Sequence, residues 1–297
     1  MMMDKPFFSG VCTALVTPFI GSNINYPMVK LLLKRQMAAG VSAVVVAGTT
    51  GEAPTLSDGE KIELVRVCRE CAGTDCKIIA GTGSNSTAHA IGLSQAAESA
   101  GADGLLVVSP YYNKATEEGL FAHYLAIAHS VSVPVILYNV PSRNGVDIPV
   151  SVYRRLSRIP NIVGVKEAGR DMAKLTRIRQ ACGEQFSVWS GNDDLTVPVM
   201  ALGGQGVISV TANVCPEEMV AMVQAAAQGD FPAAADIQVR LQALNELLFC
   251  EVNPIPVKAA MDCLGFDCGQ CRLPLCALTK PNQEKLRQYF SAPTGEA

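Results

Sequence analysis

Eight times in the first 228 residues, a short apolar, β-branched run gives way to an amphipathic stretch. This alternation restricts the fold more than any other feature of the chain. The runs occupy 11–19, 41–50, 77–83, 104–110, 133–140, 162–168, 186–192 and 206–212. Most are continuous in Val, Ile, Leu and Ala rather than alternating with polar residues. Strands of that kind are buried on both faces, as in a parallel sheet covered by helices. The stretches at 58–73, 86–100, 117–130, 171–182 and 216–227 carry apolar residues at helical spacing. Ser57 and Glu60 make a capping-box pattern before the first of them. Gly40, Gly73 and Gly101 stand where helices end. Eight such units predict a (β/α)8 TIM barrel in the α/β class rather than an open doubly wound sheet. After 228 the strand runs stop. Helical patterns over about 231–250, 254–264 and 280–290 predict a small C-terminal helical appendage. The expected division is a barrel over 1–228 and a helical region over 229–297.

With 49% hydrophobic and 17% charged residues, the 297-residue chain can bury a large core. A net charge of -3 and the lack of a Lys/Arg run give no footprint for nucleic acid or an anionic membrane. In the opening "MMMDKPFFSG", Asp4 and Lys5 interrupt what would be the apolar core of a signal peptide. No apolar run approaches the roughly 20 residues of a membrane span. A cytoplasmic protein is expected. In that setting the 11 cysteines do not predict a disulfide framework. Cys68/Cys71 and Cys268/Cys271 form C-x-x-C pairs, with Cys76, Cys263 and Cys276 nearby, so a zinc or redox module stays open. Against it, Cys68 and Cys71 sit in a helical pattern, and a free cysteine often serves as a small buried hydrophobe. No metal and no cofactor are expected. His123 and His129 lie six residues apart and do not share a helix face.

Barrels of this kind carry their chemistry at the C-terminal ends of the strands. Those ends read Gly48-Thr49-Thr50-Gly51-Glu52, Ser109-Pro110-Tyr111-Tyr112-Asn113, Tyr138 to Arg143, Lys166-Glu167, and Ser190 to Asp194. Lys166 is the unusual one. Either it closes its strand by reaching water along a flexible stem, or it is a buried reactive amine. Desolvation disfavours the ammonium, and a neutral amine forms Schiff bases with carbonyl compounds. Tyr138 could shuttle protons, Thr49 and Thr50 could hold a carboxylate, and Arg143 offers a fork for a second one. Taken singly, the threonines could be β-favouring strand ends, the tyrosines packing aromatics and Arg143 a surface residue. Their joint placement on one rim favours chemistry.

The motifs "GTTGE" (48–52), "PYYN" (110–113), "YNVPSR" (138–143), "GVKEA" (164–168), "SGND" (190–193) and "GVISVTAN" (206–213) carry a family resemblance. Over about 8–290 the chain resembles the dihydrodipicolinate synthases, pyruvate-dependent class I aldolases related to N-acetylneuraminate lyase. The resemblance implies a lyase that condenses pyruvate with aspartate semialdehyde on the route to lysine. It implies that Lys166 forms the imine and that Tyr138 relays protons. Thr49 links Tyr138 to Tyr112, the latter reaching in from a neighbouring subunit of a homotetramer. Thr50 holds the pyruvate carboxylate, Arg143 binds the semialdehyde carboxylate, and Gly191 and Ile208 shape the pocket. Thr49-Thr50 and Ser142-Arg143 favour the synthase over a lyase acting on a sialic acid or a 2-keto-3-deoxy sugar acid. Asn144 departs from the threonine common in synthases. The positions matching the family's lysine-inhibition site are Asp58, Lys61, Asn85, His89 and Tyr111. There a glutamate is missing and Lys61 adds a like charge, so weak or absent inhibition is expected.

Overall fold

The computed structural model describes residues 6–291; Asp4 and Lys5 lie outside them. Among the described residues, eight parallel strands close into a barrel. They are β1 (Gly10–Ala14), β2 (Ala43–Val46), β3 (Lys77–Gly81), β4 (Gly104–Val108), β5 (Val135–Asn139), β6 (Ile162–Glu167), β7 (Ser187–Ser190) and β8 (Gly206–Ser209). Each pairs with its sequence neighbours, and β8 returns to β1. The helices that follow them are α1 (Tyr26–Ala38), α2 (Asp58–Ala72), α3 (Thr87–Ser99), α4 (Glu117–His129), α5 (Val150–Leu156), α6 (Met172–Cys182), α7 (Thr196–Ala201) and α8 (Pro216–Ala227). The predicted capping box is formed at α2: Ser57 and Glu60 each accept from the other's backbone N–H.

Alternate strand residues separate into two buried layers. Cys12, Val45, Ile79, Leu106, Ile136, Trp189 and Ile208 pack inside the ring. Val44, Ile78, Leu105, Val107, Leu137 and Val165 pack outwards, in the core shared with the helices. Burying an aliphatic side chain contributes roughly 1.5–3 kcal/mol, against ~1 kcal/mol for a helix cap. The two layers, rather than local propensity, therefore hold the barrel. Trp189 stacks on Phe8, ring centroids 4.6 Å apart, and its indole N–H donates to the Phe8 carbonyl at 3.3 Å. Gly164 makes room for this filling. A Cβ there would lie 2.2 Å from the Ser187 carbonyl oxygen and 2.8 Å from the indole. Where the ring closes, a Cβ on Gly206 would meet the Gly10 carbonyl oxygen at 1.9 Å.

Some boundaries differ from expectation. The run at 11–19 stops as a strand at Ala14. The Val16 N–H donates to the Asn213 side-chain oxygen at 3.1 Å rather than to a barrel strand, and Phe19–Ile20 pairs antiparallel with Asn23–Ile24. The run at 41–50 ends at Val46 because Ala47 turns into the left-handed region, φ +52°. The pattern at 231–250 divides at Leu241 into α9 (Phe231–Arg240) and α10 (Gln242–Leu248); α11 (Ile255–Cys263) and α12 (Lys280–Ser291) follow.

The C-terminal helices share the barrel's core through Ala234, Leu244, Leu248, Val257, Met261 and Leu286. We propose that the division near 228 is architectural rather than a boundary between independently folding units. A buried ion pair joins the two parts. The Lys258 ammonium on α11 donates to Glu52 at 3.0 Å, the Thr17 carbonyl at 3.1 Å and the Gln270 carbonyl at 3.2 Å. All three of its donors are thus used. The Arg272 N–H donates to the other Glu52 oxygen at 2.8 Å. The Arg272 guanidinium pairs with Glu60 and holds that carboxyl down to about 2, helped by the Ser57 N–H.

Both ion pairs can be checked by unfolding. Lys258→Met strands the Glu52 carboxylate in the interior and should cost about 3–5 kcal/mol in urea unfolding. Lys258→Met/Glu52→Gln should recover part of that; a single-variant loss under about 1 kcal/mol would contradict the account. Glu60 is depressed in the folded state, so its contribution is present above its ordinary value of 4.5. That contribution is lost as pH falls towards about 2. Glu60→Gln should flatten the acid limb of a thermal-stability profile over that window, and an unchanged limb would contradict the assignment.

Candidate active site

The barrel register sets the central pair of the site. Tyr138 on β5 is the lateral partner of Lys166 on β6, and Lys166 is the partner of Trp189 on β7. With period-two alternation, Gly164 and Lys166 point inwards while Val165 and Glu167 point outwards. Lys166 is 5% exposed, and its ammonium lies 4.6 Å from the centre of the Tyr138 ring. Among the described residues, no carboxylate lies within ion-pair distance of it. The aromatic face of Tyr138 offers the ammonium a contact worth roughly 0.5–2 kcal/mol. The lysine does not reach water as a solvated strand end would.

Above this pair lies a cavity of about 570 Å³ at the C-terminal mouth of the barrel. Lys166, Tyr138, Thr49, Thr50, Arg143 and Gly191 all border it. Thr50 is buried, and Thr49 is partly exposed. Arg143 stands on a one-turn helix, Pro141–Asn144, and its guanidinium donates to the Asn253 carbonyl at 3.4 Å. Gly191 keeps the ends of β6 and β7 together: its N–H donates to the Glu167 carbonyl at 2.8 Å, and a Cβ would press on Ala168 Cβ at 2.6 Å.

Two expected residues stand elsewhere in this chain. Ile208 is fully buried in the inner layer and does not border the cavity. Tyr112 is 92% exposed, at φ +70°, and its side chain is turned to solvent rather than into this chain's own site. Among the described residues, no hydrogen bond connects Thr49 to Tyr138 or Tyr112.

Two buried carboxylates stand beside this pair, Glu167 on the outward face of β6 and Asp193 at the border of the cavity itself. Burial pushes Glu167 up, while Lys174, the Asn139 amide and the Gly169 N–H pull it down. Asn139 donates to it at 2.7 Å and Tyr153 at 3.2 Å. This buried network ties β5, β6, α5 and α6 together directly beneath the rim. Burial likewise raises Asp193, which accepts from Ser209 and from the N–H groups of Val210 and Thr211.

The C-terminal region supplies wall residues that the sequence reading missed: Gln242, Asn245, Glu246, Phe249 and Asn253. They follow no strand, so the rule that reads strand ends passes over them. The one available signal is the break at Asn253-Pro254 between two helical patterns.

The remaining candidates gather on the outer surface. Asp58 at the start of α2 accepts from Lys61 at 3.3 Å and pairs with His89 of α3 at 2.7 Å. The His89 hydrogen bond, with Lys61 beside it, lowers the Asp58 carboxyl. Asn113 donates to the Asn85 carbonyl at 2.9 Å, and Tyr111 is 41% exposed. The 11 cysteines are all free thiols. Burial pushes Cys68 up to about 12 and Cys76 up to about 11, so they behave as apolar packing groups. Among the described residues, no three His, Cys, Asp or Glu side chains are grouped to hold a metal.

A desolvated amine facing a phenol, with a hydroxyl and a guanidinium bordering the same cavity, suits imine chemistry on a keto acid. Comparison with known proteins agrees. The model of the dihydrodipicolinate synthetase family matches residues 7–292. The chain belongs to this family. It is 45% identical over 287 residues to the 4-hydroxy-tetrahydrodipicolinate synthase of Thermoanaerobacter sp. strain X514, covering 96% of this chain and 97% of that one. A chloride-inhibited dihydrodipicolinate synthase from Acinetobacter baumannii, solved with pyruvate, superposes with a TM-score of 0.93 at 41% identity. That match covers 95% of this chain and 97% of the other. The enzyme from Cyanidioschyzon merolae, solved with lysine bound, matches with the same TM-score at 42% identity over 96% and 97% of the two chains.

Proposed function

We propose that this chain is a 4-hydroxy-tetrahydrodipicolinate synthase, condensing pyruvate with L-aspartate 4-semialdehyde through an imine on Lys166. The observation that carries this reading is the buried Lys166 amine against Tyr138, with Thr50 and Arg143 bordering the same cavity. The Lys166 amine attacks the pyruvate ketone, water leaves, and an imine forms. Loss of a methyl proton gives the enamine, with Tyr138 as the proton carrier. The enamine carbon attacks the aldehyde of the second substrate. Its amino group then attacks the imine carbon, closing the ring and releasing Lys166. Thr50 is assigned to the pyruvate carboxylate and Arg143 to the semialdehyde carboxylate. Gly191 is assigned to keeping the mouth narrow and Ile208 to supporting its floor.

The exposure of Tyr112 supports a second subunit at the mouth. We propose that it enters a neighbour's site, where Thr49 bridges it to that neighbour's Tyr138. A homotetramer built from tight dimers accommodates this. Among the described residues, no helix is long and apolar enough to cross a membrane. The proposed location is the cytoplasm.

The alternative is cleavage of a sialic acid or a 2-keto-3-deoxy sugar acid. Arg143 favours the synthase because it supplies a second carboxylate anchor. A coupled assay with pyruvate and aspartate semialdehyde should show turnover, while N-acetylneuraminate and 2-keto-3-deoxygluconate should not be cleaved. Arg143→Ala should lower semialdehyde kcat/KM by roughly 10²-fold, the scale of a lost charged pair. Preferred cleavage of either sugar acid would overturn the assignment.

At the surface cluster, Asp58 already neutralises Lys61 and engages His89. A lysine ligand would have to displace these pairs and would bring its ammonium towards Lys61. Activity in low-millimolar lysine should therefore stay within about 20% of the control, since like charges in this range oppose binding. Half-inhibition at those concentrations would contradict the reading.

A further inference from the structure

The two anion anchors of the cavity are joined by a residue that takes no part in the condensation steps. Asn253 lies just before α11 and is 5% exposed. Its Nδ2 donates to Thr50 Oγ1 at 3.0 Å, and its backbone carbonyl accepts from the Arg143 guanidinium at 3.4 Å. It borders the cavity that holds Lys166. Its Oδ1 is buried without a hydrogen-bond partner among the described residues.

The polarity of the Thr50 contact has a consequence. A hydroxyl has one proton to give and two lone pairs. An amide NH2 facing it can only donate, so it occupies a lone pair and leaves the Thr50 proton unspent. We infer that Asn253 is a positioning residue: its amide keeps the Thr50 hydroxyl proton available for the pyruvate carboxylate. The same residue fixes the Arg143 helix through its carbonyl, so the C-terminal region places both anchors. This inference rests on the proposed condensation.

The test compares Asn253→Ala, Asn253→Ser and Asn253→Asp with wild type, with folding followed by near-ultraviolet circular dichroism. Asn253→Ala should raise the KM for pyruvate about tenfold, the scale of one lost hydrogen bond to a charged ligand, with kcat within about threefold. Asn253→Asp, nearly the same shape, should be worse than Ala. Its carboxylate would take the Thr50 proton and repel the substrate's own carboxylate. The KM for the semialdehyde should change less than about twofold in each, because the backbone carbonyl at 253 is retained. In a Thr50→Val background, Asn253→Ala should add almost nothing. An unchanged pyruvate KM, a milder effect for Asp than for Ala, or losses that add fully to Thr50→Val would each overturn the inference. So would failure of all three variants to fold, which would make Asn253 a folding residue. Borohydride trapping of pyruvate on wild type separates the two levels. No adduct there defeats the proposed condensation, whereas an intact adduct with an unaffected KM defeats only the role of Asn253.

Discussion

The site depends on closure of the parallel ring. Each of the eight strands hydrogen-bonds to both neighbours, so no edge is left and no strand can slip by one residue without inverting its buried faces. Once Val165 is committed to the helix-facing layer, Gly164 and Lys166 on either side of it must face the lumen. Ile136, Trp189 and Ile208 already fill that lumen below. The amine therefore sits on an apolar floor, beside the ring of its register partner Tyr138, with the cavity above it. A single geometric condition thus accounts for both the burial of the lysine and the identity of its neighbour.

The C-terminal helices complete the mouth. Lys258 inserts its ammonium beneath the turn after β2 and holds Glu52, which adopts the left-handed conformation at φ +59°. Two residues before Glu52, Thr50 is held by Asn253. The tether on one side of the loop is ionic and on the other a neutral hydrogen bond, both anchored on or beside α11. Removing the helical region would therefore uncover the core and release the β2 loop at the same time.

Much of this is legible in the chain because burial on both faces writes itself as continuous apolar runs. All eight strands fall where those runs lie, and Lys166 is conspicuous because it interrupts one. The short α5 and α7 leave no such mark, having only 7 and 6 residues in which to display a period. Asn253 escapes sequence reading for another reason. Its contacts reach Thr50 and Arg143 across 203 and 110 residues, and no local pattern encodes such pairs. The pairing of Asp58 with His89 is hidden likewise, since His89 comes from the next helix, whereas Lys61 stands three residues on in the same helix. Only family resemblance points to Tyr112 at the site, and its exposure in one chain fits a role that needs another.

The central claim is that a single buried amine carries the chemistry. The most direct measurement is peptide mapping by mass spectrometry after incubation with pyruvate and borohydride. The account predicts one carboxyethyl adduct per chain, on the peptide containing Lys166, with the other lysines, Lys258 and Lys174 included, unmodified. An adduct spread over several surface lysines, or none on Lys166 in protein that is otherwise active, would contradict it.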